Sequence, residues 1–340
     1  MKLCNVRKMV CFFSSLAAAA AGAAGSQNAL VVTASNASQN QLLVYSSSGQ
    51  LMQTVATQGQ GGVSGNAGGI EAKGDLVAVV NFGSQNVSIF KSESDGLQMK
   101  ELVPAAGSPV SVAFGDGHLY ILDTTKVESH RMFGADVDPS PDGVVGLLVA
   151  DGSAAQVGVV QGQLIITEKS NMIETVDLSD GAVSGSPAMV QNIPANVNTP
   201  FGLVTRGSDA YVTIAHANQI SLVRDGAVLT VTGSGTQSAP CWLTLAGPFL
   251  FSSNSPSMSV SRYAVYGQKI VQDAAVAAQL NGDPTDIAYG EGLVAVIDSN
   301  GTVSHLSIFS VDANGSLTLL QQADTIGLGA NGVAVIPGAN

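Results

Sequence analysis

Seven large aliphatic residues, Ile70, Val112, Val157, Leu203, Leu243, Ile287 and Val333, recur along the chain at steps of 42, 45, 46, 40, 44 and 46 residues. A unit of that length is one supersecondary module whose apolar face must be buried against copies of itself, and a four-stranded propeller blade has this size. Four of the repeats start alike, at Ser108-Pro109, Thr199-Pro200, Ala239-Pro240 and Asp283-Pro284. Each aliphatic residue is followed by a turn, then by an apolar β-branched run such as 76–80, 119–122, 164–167, 211–214 or 293–297. A polar turn and an alternating third run (87–90, 220–223, 260–263, 306–310) complete the pattern. Runs of this kind bounded by Gly, Asn, Asp and Ser read as strands. The chain is therefore expected to be all-β, a seven-bladed β-propeller of four-stranded blades. One short stretch, 273–280, has a helical look.

The two ends carry an independent clue. The first repeat has a second-strand-like run at 29–33 with no aliphatic strand before it, and the last repeat is only such a strand, 331–336. Pairing the C-terminal strand into the N-terminal blade closes the ring and removes the open edges that a linear array would expose.

The N-terminus stands outside this scheme. Lys2, Arg7 and Lys8 precede an apolar run from Met9 to Ala21, and Ala21-Gly22-Ala23 follows as a small-residue cleavage site. This is the pattern of a secretory signal peptide, expected over residues 1–23, with a single propeller domain over 24–340. No later run is long enough to span a membrane as a helix. The formal charge is −12, and loss of those three basic residues makes it more negative, which disfavours nucleic acid as a partner. Of three cysteines only Cys241 lies beyond the leader, so no internal disulfide can form and a large core must stabilise the exported chain. Four Asn-x-Ser/Thr sequons, at Asn36, Asn86, Asn300 and Asn314, lie in turn-like segments where a glycan acceptor is reachable.

The residues also resemble a known family. Asn81-Phe82-Gly83-Ser84 running into Val87-Ser88-Ile89-Phe90, the turn Asp312-x-x-Gly315-Ser316-Leu317, and Ala239-Pro240-Cys241-Trp242 with Ser253-Asn254 and Ser261-Arg262-Tyr263 are similar to blades of lactonase-type propellers. The likeness covers roughly residues 28–336 and points to the exported branch described as 3-carboxymuconate cyclase-like. It implies the seven-bladed fold and, for enzymatic members, chemistry on lactones as 6-phosphogluconolactonases or muconate cyclases. Those members carry a His-x-His segment and an Asp-Leu-Gly-x-Asp stretch, and neither occurs here. His118, His130, His216 and His305 are isolated from one another and read as surface or packing residues.

Propeller ligands bind where innermost strands and one set of loops meet. The position before each aliphatic residue should border that funnel, and it reads Gly69, Ser111, Gln156, Gly202, Trp242, Asp286 and Gly332. Small residues suit a crowded axis. Gln156, Trp242 and Asp286 depart from this and are the ligand-binding candidates, the last two on adjacent blades. Turns between second and third strands add Asp123, Lys126, Glu168, Lys169, His216, Asn254 and Asp298 to the same face, from which Asp286 and His216 are the candidate catalytic pair. Arg206 lies in the opposite set of turns. Asp136-x-Asp138-x-Ser140-x-Asp142-Gly143 alternates oxygen ligands as calcium loops do, but its glycine falls in the wrong place and prolines interrupt it. The Gly-rich stretch 59–69 has no Lys and opens no helix, so it is no phosphate loop. No cofactor or metal is expected.

Two functions fit. The first is a secreted, glycosylated, monomeric binding, surface or host-interaction protein that holds a small polar organic ligand, a glycan or a protein at its funnel face without catalysis. The second is an extracellular lactone hydrolase or muconate-type cyclase with a rearranged site.

Overall fold

A computed structural model describes residues 28–190, 198–325 and 329–338. The proposed leader at 1–23 lies outside the described residues. Seven antiparallel sheets surround a central axis as a seven-bladed propeller, all but the first with their strands in sequence order from the axis outward. Blade 2 comprises Ile70–Lys73, Leu76–Asn81, Asn86–Glu93 and Gly96–Pro104. Blades 4 to 7 begin on the inner strands Ala154–Val160, Pro200–Arg206, Pro240–Ala246 and Asp283–Gly290. All seven column residues lie on innermost strands and are buried.

Blade 1 is assembled from both ends of the chain. Its inner strand, Asn331–Ile336, pairs antiparallel with Leu30–Ala34, placing Val333 opposite Thr33 and Ile336 opposite Leu30. The ring thus closes as the half-repeats at the two termini require. The Thr33 hydroxyl donates to the Gly332 carbonyl at 2.7 Å, pinning the seam.

Blade 3 departs from the pattern. After Pro109–Gly115, His118–Asp123 and Lys126–Phe133, its outer strand is split into Asp136–Val137 and Gly143–Gly146, both paired with Lys126–Phe133. The calcium-like run is the excursion between the two pieces. Its carboxylates serve different partners: Asp136 pairs with Lys100, and Asp142 takes the Ser129 hydroxyl and His118 Nε2.

The helical-looking stretch is a correction: 273–280 falls largely within the outer strand Lys269–Gln279. Alanine favours helix weakly, but here the ladder to Ser259–Tyr266 decides the conformation. Aromatic side chains explain how wedge-shaped gaps between blades are filled away from the axis. Tyr45, Phe90, Tyr120, Tyr211, Phe251 and Tyr263, all fully buried, sit on second or third strands, while aliphatic residues line the narrower interior. Among the described residues no helix is long and apolar enough to cross a membrane.

Candidate functional site

The inner strands form a channel, and its two ends differ. On the upper face, where inner strands begin, the residues before the column are mostly occupied in joining blades. The Val157 N–H donates to Ser111 Oγ at 3.3 Å, the Leu203 N–H to Gln156 Oε1 at 2.6 Å and the Val333 N–H to Asp286 Oδ2 at 3.0 Å. Each acceptor thereby takes the amide of the column residue in the next blade. Where the position is glycine the backbones approach directly: a Cβ on Gly202 would collide with the Cys241 carbonyl.

Residues 61–69 then cross the upper end of the axis as a latch. Asn36, in a left-handed conformation at φ 56°, accepts the N–H groups of Gly62 and Val63 on Oδ1 (2.7 and 3.1 Å) and donates to the Val63 carbonyl at 2.8 Å. Lys169 Nζ donates to the Gly65 carbonyl at 2.6 Å. Asn66, only 1 % exposed, donates to Val110 O and accepts from the Asn331 amide. Its carbonyl accepts the Trp242 indole N–H at 3.1 Å, and the Ala67 N–H donates to Ala155 O. The Gly69 and Gly61 carbonyls accept the Val80 and Gly83 N–H groups, so the latch joins blades 1, 2, 3, 4 and 6. Trp242, edge-on to Phe201 at 5.3 Å between centroids, completes the seal.

Below this seal lies a cavity of about 310 Å³, lined by Gln156, Thr205, Trp242, Thr244, Asp286 and Tyr289 among others, with Glu71 in its wall. Exposure rises from the belt of Ser111 and Asp286 towards Thr205, Leu245 and Tyr289, so the cavity opens on the lower face. This corrects the expected entry from the upper loops. The glycine-rich stretch that carries no phosphate motif supplies the backbone that closes that end.

Two carboxyl groups dominate the cavity. Asp286 is 7 % exposed, and its oxygens accept the Ile287 and Val333 N–H groups at 2.9 and 3.0 Å. Burial pushes its carboxyl up to about 7, against the opposing effect of those two amides. Glu71 is half-buried: protein surrounds it, but the channel reaches its side chain. Burial, then the negative charge of Asp286, raises it to about 7. Sequence reasoning missed Glu71. The signal was present, since the position after the column otherwise reads Ala113, Gly158, Val204, Thr244, Ala288 and Ala334.

The other candidates lie elsewhere. His216 is exposed in a short 3-10 turn, Ala215–Ala217, where Nδ1 meets the Thr199 hydroxyl at 2.8 Å, and it does not line the cavity. The structure thus separates it from Asp286. Arg206 reaches the Gly247 carbonyl and the Tyr211 hydroxyl. His118, His130 and His305 are buried rather than at the surface, held by Asp142, the Asp138 carbonyl and Asp298 respectively. Cys241 is a half-buried free thiol pushed up to about 12 by burial, which makes it a poor nucleophile.

The candidate turn residues Asp123, Glu168, Asn254 and Asp298 are also buried, each closing a second strand. In blades 2 and 6 that station is Asn81 or Asn254, whose Nδ2 donates to Ser88 or Ser261 on the third strand. In blade 4 both places are glutamates. Glu168 and Glu174 are 0 % exposed, and three of their four oxygens have no hydrogen-bond donor; the fourth takes the Leu148 N–H at 2.9 Å. Burial and the neighbouring Glu174 and Asp151 charges push Glu168 up to about 8, and burial also raises Glu174. One proton shared by the two carboxyls satisfies this geometry at neutral pH.

The fold is shared with solved propellers at low identity. A periplasmic gluconolactonase of Pseudomonas aeruginosa superposes with a TM-score of 0.64 at 18% identity, over 92% of this chain and 99% of that one. A 6-phosphogluconolactonase candidate from Bacteroides uniformis gives 0.65 at 12% identity, over 91% and 99%. A functionally unknown protein from Desulfotomaculum acetoxidans gives 0.66 at 12% identity, with the same coverage. These likenesses show the propeller fold and leave the activity to the site. No family model matches the chain, and no curated protein matches it in sequence.

Proposed function

We propose that this chain is an exported, monomeric binding propeller that takes a small polar ligand into its channel from the lower face without catalysing a reaction on it. The observation that carries this reading is the chemistry of the cavity: among the described residues two carboxyl groups line it, and no Lys, Arg or His does. A phosphorylated or carboxylated lactone would enter a field of its own sign, with no cation to hold it. Trp242 takes part as floor, because its indole N–H already serves Asn66, and Gln156 as wall, because its Oε1 already serves the Leu203 N–H. The leader-like N-terminus and the sequons motivate export. Asn300 and Asn314 are exposed and suit glycan attachment, whereas Asn36 and Asn86 engage their side chains internally.

The test combines binding and turnover. Calorimetry with neutral polyols and organic cations should detect a ligand, while glucono-1,5-lactone and its 6-phosphate should hydrolyse at the uncatalysed rate. Saturable hydrolysis of either lactone would overturn the reading.

One observation favours the alternative of a hydrolase acting on a neutral lactone. Glu71 has a raised pKa and faces the cavity without a hydrogen-bond donor of its own, as a general base for water attack would. That reading requires Glu71→Gln to abolish turnover while leaving ligand affinity largely intact.

A further inference from the structure

We infer that the channel cavity takes an organic ammonium ligand, with its cationic head between Glu71 and Asp286. The inference rests on the channel-binding reading above and names its ligand class. Three features of the cavity converge on it.

First, the two carboxyl groups are unequally committed. Asp286 holds the Ile287 and Val333 amides, whereas Glu71 has no donor among the described residues. A carboxyl without a partner in a narrow channel lacks the counter-charge that would stabilise its ionised form. A bound cation supplies it. Second, the remaining surface suits an alkylammonium rather than a bare metal ion. The walls include the apolar side chains of Leu203, Leu245 and Ala288, the floor is the Trp242 indole, and the Tyr289 phenol stands exposed at the mouth. Aromatic faces beside carboxylates are the setting in which quaternary ammonium groups bind. Among the described residues no group of three or more His, Cys, Asp or Glu side chains forms a metal site. Third, about 310 Å³ is enough for a small organic molecule and exceeds the needs of a single ion.

The pairing is linked to protons. Glu71 and Asp286 are both raised to about 7, and the one other titratable side chain lining the cavity is Tyr289. A cation favours their ionised forms, so binding releases protons near neutrality, and affinity rises with pH across the range about that value.

The probe is choline, compared with 3,3-dimethylbutan-1-ol, its uncharged isostere, in calorimetry on the full-length secreted protein. Choline should bind with proton release, detected as a dependence of the heat on buffer ionisation enthalpy. The isostere should bind at least about tenfold more weakly. Glu71→Gln should weaken choline by a similar factor without lowering the melting temperature, because Glu71 makes no hydrogen bond to lose and its ionised form is disfavoured by burial in the folded state. Equal binding of choline and its isostere, or an unchanged choline affinity in Glu71→Gln, would overturn the inference. Binding of a neutral polyol such as myo-inositol without choline would also overturn it, yet leave the channel-binding reading standing. Binding of neither would bring down both.

Discussion

The two ends of the channel are built from the same seven strands and come to opposite outcomes. At the upper end the polar groups that border the axis are spent on the scaffold: Ser111, Gln156 and Asp286 fasten successive blades, and the 61–69 latch is bonded to five of them. At the lower end the position after the column is mostly Ala, Gly, Val or Thr, and Glu71 is left without a donor among the described residues. The difference teaches that polar residues at a propeller axis need not mark a ligand. A carboxylate or amide that accepts the next blade's N–H is first part of the scaffold, and an unpartnered one that lines the cavity, as Glu71 does, marks the candidate for binding.

The harshest way to break this contrast is to remove the seal. Trp242→Ala should lower stability by ~3–5 kcal/mol in denaturant unfolding, through lost burial and an Asn66 carbonyl left without its donor. A cost below about 1 kcal/mol would mean that the indole does not hold the latch.

Next comes the carboxyl pair under the upper face. Burial and the neighbouring carboxylates push Glu168 in the folded protein up to about 8, against 4.5 for a free glutamate, so the folded state keeps a proton that the unfolded state releases in between. Its contribution to stability is therefore greatest below the unfolded value and is lost as pH rises towards about 8. Glu168→Gln supplies an amide donor to Glu174, as Asn81 and Asn254 do to Ser88 and Ser261. It should stabilise the protein by ~1–3 kcal/mol at about pH 8 and by less at about pH 5. Equal effects at the two pH values would show that the pair does not share a proton.

The smallest contrast lies among the sequons. Asn36→Gln should cost ~1–2 kcal/mol, since glutamine tolerates the left-handed conformation poorly and displaces the hydrogen bonds to Gly62 and Val63. Asn314→Gln, at an exposed turn, should stay within about 0.5 kcal/mol. Glycopeptide mass spectrometry on secreted protein should accordingly find glycans on Asn300 or Asn314 in preference to Asn36.

What could be read from residues alone follows the same division. The ring was legible because the column of Ile70 to Val333 and the half-repeats at 29–33 and 331–336 are patterns of side-chain type. Gln156, Trp242 and Asp286 stood out against glycine and serine, but what they do depends on amides one blade away, which no local pattern shows. The latch was invisible for a different reason. Much of its holding force passes through backbone groups of Gly62, Gly65 and Ala67, and a glycine-rich run reads only as a loop. From sequence the upper turns offer Glu168 and Asp298 to the ligand face, because polar residues usually stay accessible, whereas both are fully buried.

The account's central claim, a channel sealed above and open and acidic below, is tested most directly by thiol accessibility. Single cysteines would replace Ala288, which lines the cavity, and Ala67, in the latch, in a Cys241→Ser background. Rates of modification by a cationic and an anionic methanethiosulfonate reagent would then be compared. The structure predicts fast reaction at position 288, faster with the cationic reagent, and slow reaction at position 67 with both. Equal rates at the two positions, or preference for the anionic reagent at 288, would contradict it.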